Sequence, residues 1–186
     1  MVLTPSTMPI LGTSAPNFSL TDVVTENLIT LDTFKEKKGL LVMFICRHCP
    51  FVVHVQEELS KIGLDYQTKN LGILAISSND AIAHPDDSPQ NLAAMAKELN
   101  FSFPYCFDES QDVAKAFNAA CTPDFFLFNQ ERNLVYRGQL DDSRPDNGKP
   151  VTGNDLRIAL NALLNNAAIS AHQTPSIGCN IKWKEQ

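Results

Sequence analysis

Phe44-Ile45-Cys46-Arg47-His48-Cys49-Pro50 places two cysteines three positions apart, between an apolar run and a helical pattern. The apolar run covers residues 40–45 and predicts a buried strand. The pattern after it has apolar side chains on one helical face, at Val52, Val55, Leu59 and Ile62. The sequence therefore predicts that both cysteines lie where a buried strand passes into the first turn of a helix.

A helix start favours a reactive thiol. Its free backbone N–H groups and its macrodipole stabilise negative charge, and the thiolate is the reactive form of cysteine. We therefore expect the thiolate on Cys46, as an exposed attacking sulfur. Arg47 and His48 stand next to it and are expected to lower the pKa of Cys46 further by their positive potential. Pro50 is compatible with a first helical turn.

Composition limits the class of protein. The chain has 186 residues, of which 44% are hydrophobic and 19% charged, as in a globular protein with one domain over residues 1–186. A net charge of -6 argues against nucleic acid or an anionic membrane as the main partner. No apolar run approaches the roughly 20 residues of a membrane span, and residues 1–7 do not resemble a secretory signal. Five cysteines, an odd number, argue against a disulfide framework and suggest a cytoplasmic protein with catalytic, metal-binding or free thiols.

Strand and helix patterns alternate along the chain. Buried strands at residues 40–45 and 73–76 are each followed by a helical pattern, and residues 125–128 and 134–137 form a hairpin pattern before a last helix. This order predicts an α/β sandwich with a mixed sheet. Residues 1–16 are rich in proline and predict an irregular arm. Residues 167–186 have no clear period, yet they hold Cys179 and the only tryptophan, so we expect this tail to dock on the domain.

The Cys-x-x-Cys spacing supports two kinds of chemistry. A dithiol at a helix start, near a βαβ pattern, can close a small disulfide: the first sulfur attacks a substrate and the second resolves the mixed disulfide. The alternative is half of a zinc site. Because a structural zinc site normally has a second ligand pair, and Cys106, Cys121 and Cys179 form none, the redox interpretation is favoured.

Ala120-Cys121-Thr122-Pro123-Asp124 precedes the strand pattern Phe125-Phe126-Leu127-Phe128. With the Cys-x-x-Cys stretch and Tyr136-Arg137-Gly138, it makes residues 15–165 resemble the thioredoxin-like superfamily, closest to redoxin-type members related to thiol-specific antioxidant and TlpA-like proteins. The resemblance implies a three-layer sandwich with a mixed central sheet and an added N-terminal β-hairpin over residues 17–31. It also implies a cis Pro123 that faces the dithiol and shapes an edge where an extended substrate peptide can pair.

The resemblance implies a thiol–disulfide oxidoreductase that needs no organic cofactor. Cys46 is the expected nucleophile, Cys49 the resolving thiol and Pro123 part of the catalytic edge, with Arg47, His48 and Thr122 tuning the redox potential. The expected partners are protein or low-molecular-weight disulfides and a thiol reductant. Two features depart from the family pattern: Ile45 replaces an aromatic residue, and Arg47-His48 replaces Gly-Pro, so that the histidine resembles DsbA-type oxidants.

Other interpretations stay open. Redoxin-type folds include peroxidases, whose signature has Thr or Ser three positions before the reactive cysteine. Met43, Cys46, Phe103 and Asn118 occupy that position for the cysteines 46, 49, 106 and 121, which disfavours a peroxidase. Copper(I) or zinc binding by Cys46, His48, Cys49 and His54 is a third interpretation. Cys121 and Cys179 are possible additional redox thiols, and otherwise a buried small side chain and a structural anchor.

Overall fold

The computed structural model describes residues 3–185. Its strands are β1 Leu3–Pro5, β2 Ser19–Thr21, β3 Leu28–Thr30, β4 Gly39–Phe44, β5 Leu71–Ser77, β6 Tyr105–Phe107, β7 Cys121–Thr122, β8 Asp124–Phe128, β9 Leu134–Gly138 and β10 Ile177–Asn180. Its helices are α1 Pro50–Tyr66, α2 Pro89–Glu98, α3 Asp112–Ala116 and α4 Asn154–Leu164, with short 3₁₀ turns at Leu31–Phe34 and Pro85–Asp87. None of the described helices is long and apolar enough to cross a membrane.

The central sheet has five strands in the order β6-β5-β4-β8-β9. β4, β5 and β6 are parallel, whereas β8 pairs antiparallel with both β4 and β9. The two parallel connections contain the helices α1 and α2, and the antiparallel edge is the hairpin β8–β9. The predicted α/β architecture with a mixed sheet is therefore confirmed.

All six residues of β4 are buried, because both faces of the sheet are covered. Alternate side chains of β4 point to opposite faces. Leu41 and Met43 pack in the core that includes α1, α2 and α4, while Val42 and Phe44 pack in the core that includes α3 and the β2–β3 hairpin. The three layers are therefore α1, α2 and α4 on one face, the central sheet in the middle, and α3 with the β2–β3 hairpin on the other face. The N-terminal hairpin predicted from residues 17–31 is present as β2 and β3.

Both ends of the chain meet in a second, small sheet with the order β1-β10-β7. No strand was predicted in the arm or in the tail, yet β1 and β10 pair with each other there. β10 also pairs antiparallel with β7, with Cys179 opposite Thr122. Gly178 allows this close approach, because a Cβ at that position would lie 2.0 Å from the carbonyl oxygen of Thr122. The C-terminal strand thus lies directly on the segment before Pro123.

Candidate redox site

The two cysteines of the Cys-x-x-Cys stretch lie in the connection between β4 and α1. β4 ends at Phe44, and α1 begins at Pro50 with Cys49 as its N-cap residue. Cys46 therefore precedes the helix by four positions. The expectation that Cys46 sits in the first helical turn is wrong, because the turn Arg47-His48 is not helical. It is Cys49 that lies at the helix N-terminus, where backbone N–H groups stabilise an anion.

Thr122 contacts both sulfurs. Its hydroxyl Oγ1 lies 3.3 Å from the Sγ of Cys46, and its carbonyl oxygen lies 3.2 Å from the Sγ of Cys49. The thiols of Cys46 and Cys49 are also hydrogen-bonded to each other. The peptide bond between Thr122 and Pro123 is cis. The dithiol and the segment before Pro123 are thus brought together in space, although 73 positions separate Cys49 from Thr122 in the chain.

The thiolate is favoured on Cys49. A hydrogen bond from the Cys46 thiol is the main cause, and it lowers the pKa of Cys49 to about 5 against the opposing effect of burial. A thiol hydrogen bond from Cys179 and the backbone N–H groups of Val52 and Cys179 act in the same direction. The Cys49 thiolate is stabilised only while the Cys46 thiol keeps its proton and donates it in a hydrogen bond, as expected for two coupled acids.

The thiol that keeps the proton is Cys46. Its hydrogen bond to Cys49, its burial and the negative charge of Asp87 raise the pKa of Cys46 well above its usual value. The expectation of an acidic Cys46 is therefore wrong. The expectation of an exposed attacking sulfur is also wrong, because Cys46 and Cys49 are both fully buried.

Arg47 does not place its charge on the sulfur of Cys46. Its Nη1 donates to the backbone carbonyl oxygen of Asn91 at 2.7 Å, and its Nη2 lies 3.6 Å from the carboxylate of Glu98. These contacts hold the guanidinium against α2. His48 also turns to a partner of its own, since its Nδ1 lies 2.5 Å from Oδ2 of Asp87. The expected positive potential of Arg47 and His48 beside Cys46 is therefore replaced by the negative potential of Asp87.

Asp87 is a residue of the candidate site that the sequence analysis missed. It is fully buried, and its Oδ1 accepts the backbone N–H groups of Arg47 at 2.8 Å and of His48 at 3.3 Å. Its Oδ2 accepts a hydrogen bond from the side-chain amide of Asn79 at 2.7 Å, besides the contact with His48. A signal existed in the sequence: Asp87 follows β5, and the carboxyl ends of neighbouring parallel strands meet at one edge of the sheet.

The edge beside Pro123 is not open to a substrate. β10 already pairs with β7 there, with Cys179 opposite Thr122 and Asn180 opposite Cys121. The Sγ of Cys179 lies 2.6 Å from the Sγ of Cys49. The predicted free docking edge for an extended peptide is therefore wrong for this conformation of the chain, because the C-terminal strand occupies it.

Cys106 and Cys121 are less suited to exchange than the three cysteines described above. The Sγ of Cys121 lies 3.7 Å from the carbonyl oxygen of Pro123, and burial raises the pKa of Cys121 far above its usual value. Burial also raises the pKa of Cys106 to about 12. Burial raises the pKa of Cys179 to about 12 as well, so what sets Cys179 apart from Cys106 and Cys121 is its sulfur contact with Cys49 at 2.6 Å.

Metal ligands are present, but not in the predicted set. Among residues 3–185, Cys46, His48 and Asp87 offer ligand atoms that all lie within 4.8 Å of one another, and His54 is not part of this group. Both oxygens of Asp87 already accept two hydrogen bonds or close contacts each. A metal ion would have to break some of these contacts, so the donor set suits a hydrogen-bonded loop better than a metal centre.

Sheet, helix and dithiol together define a protein with the thioredoxin-like fold. The family model described as Redoxin matches residues 10–156, and the chain belongs to the redoxin family. No curated protein matches the chain.

Among solved structures, an uncharacterized conserved protein from Geobacillus kaustophilus is 52% identical, with a TM-score of 0.98 over 100% of this chain and 98% of the other. A hypothetical protein from Sinorhizobium meliloti 1021 is 51% identical, with a TM-score of 0.96 over 98% of this chain and 100% of the other. The thioredoxin domain of a thiol-disulfide oxidoreductase from Bacteroides vulgatus is 20% identical, with a TM-score of 0.65 over 84% of this chain and 99% of that domain. This last similarity establishes the fold alone.

Proposed function

We propose that the chain is a thiol–disulfide oxidoreductase whose exchanging dithiol is Cys46 and Cys49. The observation that carries the proposal is the position of both sulfurs against Thr122, 3.3 Å from its hydroxyl for Cys46 and 3.2 Å from its carbonyl oxygen for Cys49. A pKa of Cys49 lowered to about 5 supports it. At neutral pH one thiolate and one thiol are then in contact. This is the state that disulfide exchange requires, since the thiolate attacks and a second sulfur takes over its bond.

The proposed reaction uses both protonation states. The Cys49 thiolate attacks one sulfur of a substrate disulfide, so that a mixed disulfide forms and one substrate thiolate leaves. Cys46 gives its proton to a departing thiolate and attacks the Sγ of Cys49. The second substrate sulfur then leaves as a thiolate, and a Cys46–Cys49 disulfide remains, which a thiol reductant returns to the dithiol. The lowered pKa of Cys49 and the raised pKa of Cys46 support the opposite order of roles from the one expected from the sequence, with Cys49 attacking and Cys46 resolving.

Thr122 and Asp87 take no part in the disulfide exchange itself, but they set the pKa of Cys46 and the position of the loop. The Thr122 hydroxyl lowers the pKa of Cys46, whereas the charge of Asp87 raises it. Asp87 also fixes the backbone of Arg47 and His48, which joins the two cysteines. The five free cysteines suit a reducing compartment, and a cytoplasmic location is part of the proposal.

The test is turnover with two disulfides of different size. Reduction of insulin by dithiothreitol reports on protein disulfides, and reduction of hydroxyethyl disulfide by glutathione reports on small ones. We expect the wild type to accelerate at least one reaction, Cys49→Ser to abolish the acceleration, and Cys106→Ala to keep it. Cys106 is a matched control because it is equally buried but lies in β6.

Two results would overturn the proposal. Consumption of hydrogen peroxide with hyperoxidation of one cysteine, and no disulfide reduction, would show a peroxidase. A hyperoxidised Cys49 would then identify the sulfur that reacts with peroxide, because a peroxide-reducing cysteine reacts as the thiolate. Stoichiometric copper or zinc in freshly purified reduced protein, again without turnover, would show that Cys46 and His48 bind metal.

A further inference from the structure

Cys179 lies farther along the chain than the family match, which ends at residue 156, and the proposed dithiol reaction leaves it unused. It is buried, like Cys46 and Cys49. Its Sγ lies 2.6 Å from the Sγ of Cys49, and a disulfide bond is about 2.05 Å long. Only a small displacement therefore separates these two sulfurs from bonding distance.

The strand that carries Cys179 is held firmly in this position. Cys179 stands opposite Thr122 in the pairing of β10 with β7, and Gly178 packs without a Cβ against the Thr122 carbonyl group. Beyond the strand, the backbone N–H of Lys182 donates to Oδ1 of Asn79 at 2.8 Å, and the amide of Asn79 donates to Asp87. A hydrogen-bonded chain thus connects the C-terminal segment to the loop between Cys46 and Cys49.

We propose that Cys179 is a third redox thiol, which resolves mixed disulfides on Cys49 in competition with Cys46. The proposal rests on the proposed function, because it takes Cys49 as the attacking sulfur. Cys49 contacts both possible partners, so that the Cys46–Cys49 and Cys49–Cys179 disulfides exclude each other. The second disulfide covalently ties the C-terminal strand to the start of α1.

The step balances with a low-molecular-weight disulfide as the oxidant. The Cys49 thiolate attacks oxidised glutathione, and a Cys49–glutathione mixed disulfide and one glutathione thiolate form. The Cys179 thiol transfers its proton to the departing glutathione and its sulfur bonds to Cys49. The Cys49 thiolate and the Cys179 thiol are then oxidised to one disulfide, and one oxidised glutathione is reduced to one thiol and one thiolate, which takes up a proton from water.

β10 occupies the place that an extended peptide would need beside Pro123. A cysteine of a docked substrate strand would approach the dithiol from this edge, and Cys179 stands there as part of the chain itself. β10 therefore takes the position of a substrate strand and places the thiol of Cys179 against Cys49. Because Cys49 is fully buried, the covering strand has to move before any disulfide reaches it, and a small disulfide needs a smaller opening than a protein segment.

Trapping with oxidised glutathione tests the proposal. In the double variant Cys46→Ser/Cys179→Ser, neither partner is left, and we expect a lasting glutathione adduct on Cys49 in the mass spectrum. In Cys46→Ser alone, we expect the adduct to disappear at least roughly tenfold faster than in the double variant. The reason is that Cys179, which lies in contact with Cys49, attacks with a high effective concentration. A Cys49–Cys179 disulfide should replace it in the peptide map.

The control is Cys46→Ser/Cys121→Ser, which removes a buried cysteine from the adjoining strand β7. Its adduct should disappear as fast as in Cys46→Ser. Equal adduct lifetimes in Cys46→Ser and Cys46→Ser/Cys179→Ser would overturn the role of Cys179. The proposed function has a separate readout: if it fails, Cys179→Ser forms no Cys46–Cys49 disulfide. Circular dichroism of each variant shows whether it is folded.

Discussion

The Nδ1 of His48 lies 2.5 Å from Oδ2 of Asp87. The residue that precedes Cys49 is therefore bound to a carboxylate from the connection between β5 and α2. The same carboxylate accepts the backbone N–H groups on the other oxygen. A short loop between two sulfurs is thereby fixed by one side chain that is fully buried. The spacing of Cys46 and Cys49 consequently depends on Asp87.

We expect Asp87→Asn to destabilise the reduced protein by roughly 2–4 kcal/mol, because hydrogen bonds to a buried charged group are lost or reversed. The measurement is urea unfolding with a reductant present. Asp86→Asn is the matched control, since Asp86 is exposed in the same 3₁₀ turn. Equal midpoints for the two variants would show that Asp87 does not hold the loop.

The pKa of Cys49 depends most on the Cys46 thiol. We expect an apparent pKa of about 5 in the wild type and a clearly higher value in Cys46→Ala, which has no donor to the Cys49 thiolate. Cys46→Ser keeps a donor and should resemble the wild type. The ultraviolet absorbance of the thiolate, followed against pH in the reduced protein, gives both values. An unchanged pKa in Cys46→Ala would contradict the assigned hydrogen bond.

Asp124 makes the stability depend on pH. Burial raises the pKa of Asp124 from 3.8 to about 7, and its Oδ1 has no hydrogen-bond partner in the described part of the chain. Below pH 3.8 the carboxyl is protonated in both the folded and the unfolded state. Between pH 3.8 and about 7 the unfolded chain loses this proton first, so stability falls as the pH rises.

Asp124→Asn removes this loss. One pKa unit corresponds to about 1.36 kcal/mol, so the variant should gain up to roughly 4 kcal/mol over the wild type between about pH 4 and about pH 8. Urea unfolding at the two pH values measures the gain. Asp86→Asn controls for the loss of an exposed aspartate. A difference between Asp124→Asn and wild type that does not change with pH would refute the raised pKa.

Gly178→Ala tests how closely β10 packs on the dithiol. The new Cβ would lie 2.0 Å from the Thr122 carbonyl oxygen, which is backbone and cannot turn aside. We expect a loss of stability of roughly 1–3 kcal/mol from overpacking and faster alkylation of Cys49 by iodoacetamide, because the strand has to move away. Gly148→Ala places its Cβ in open space in a loop with positive φ and should leave alkylation unchanged. Unchanged alkylation in Gly178→Ala would mean that β10 does not limit access.

The elements that the sequence predicted are those with local periodic patterns. The helix that packs through Val55 and Leu59 and the strand around Val42 follow from spacing alone, since each pattern is contained in one segment. β10 could not be predicted this way. Its pairing partners are β1 and β7, which lie far away in the chain, and a strand of four residues carries no period of its own.

The sequence analysis named candidate residues that the structure brings together, but it did not predict the charges around them. Cys46, Cys49 and Thr122 do meet, but the sequence suggested that neighbours in the chain set the charge around the sulfurs. In the structure His48 is paired with the carboxylate of Asp87, and Arg47 is held against α2 by the carbonyl oxygen of Asn91. The first residue of α1, Pro50, also puts the helix N-terminus at Cys49 and not at Cys46. The contacts of His48 and Arg47 are tertiary, and spacing in the sequence does not contain them, whereas proline at the first helical position is a local signal.

Disulfide mapping of Cys179→Ser, equilibrated in a glutathione redox buffer, tests the exchanging dithiol most directly. Without the third thiol, we expect a Cys46–Cys49 disulfide whose fraction follows the buffer potential and returns to zero with dithiothreitol. Cysteines 46 and 49 that stay reduced at every ratio of oxidised to reduced glutathione would contradict the account.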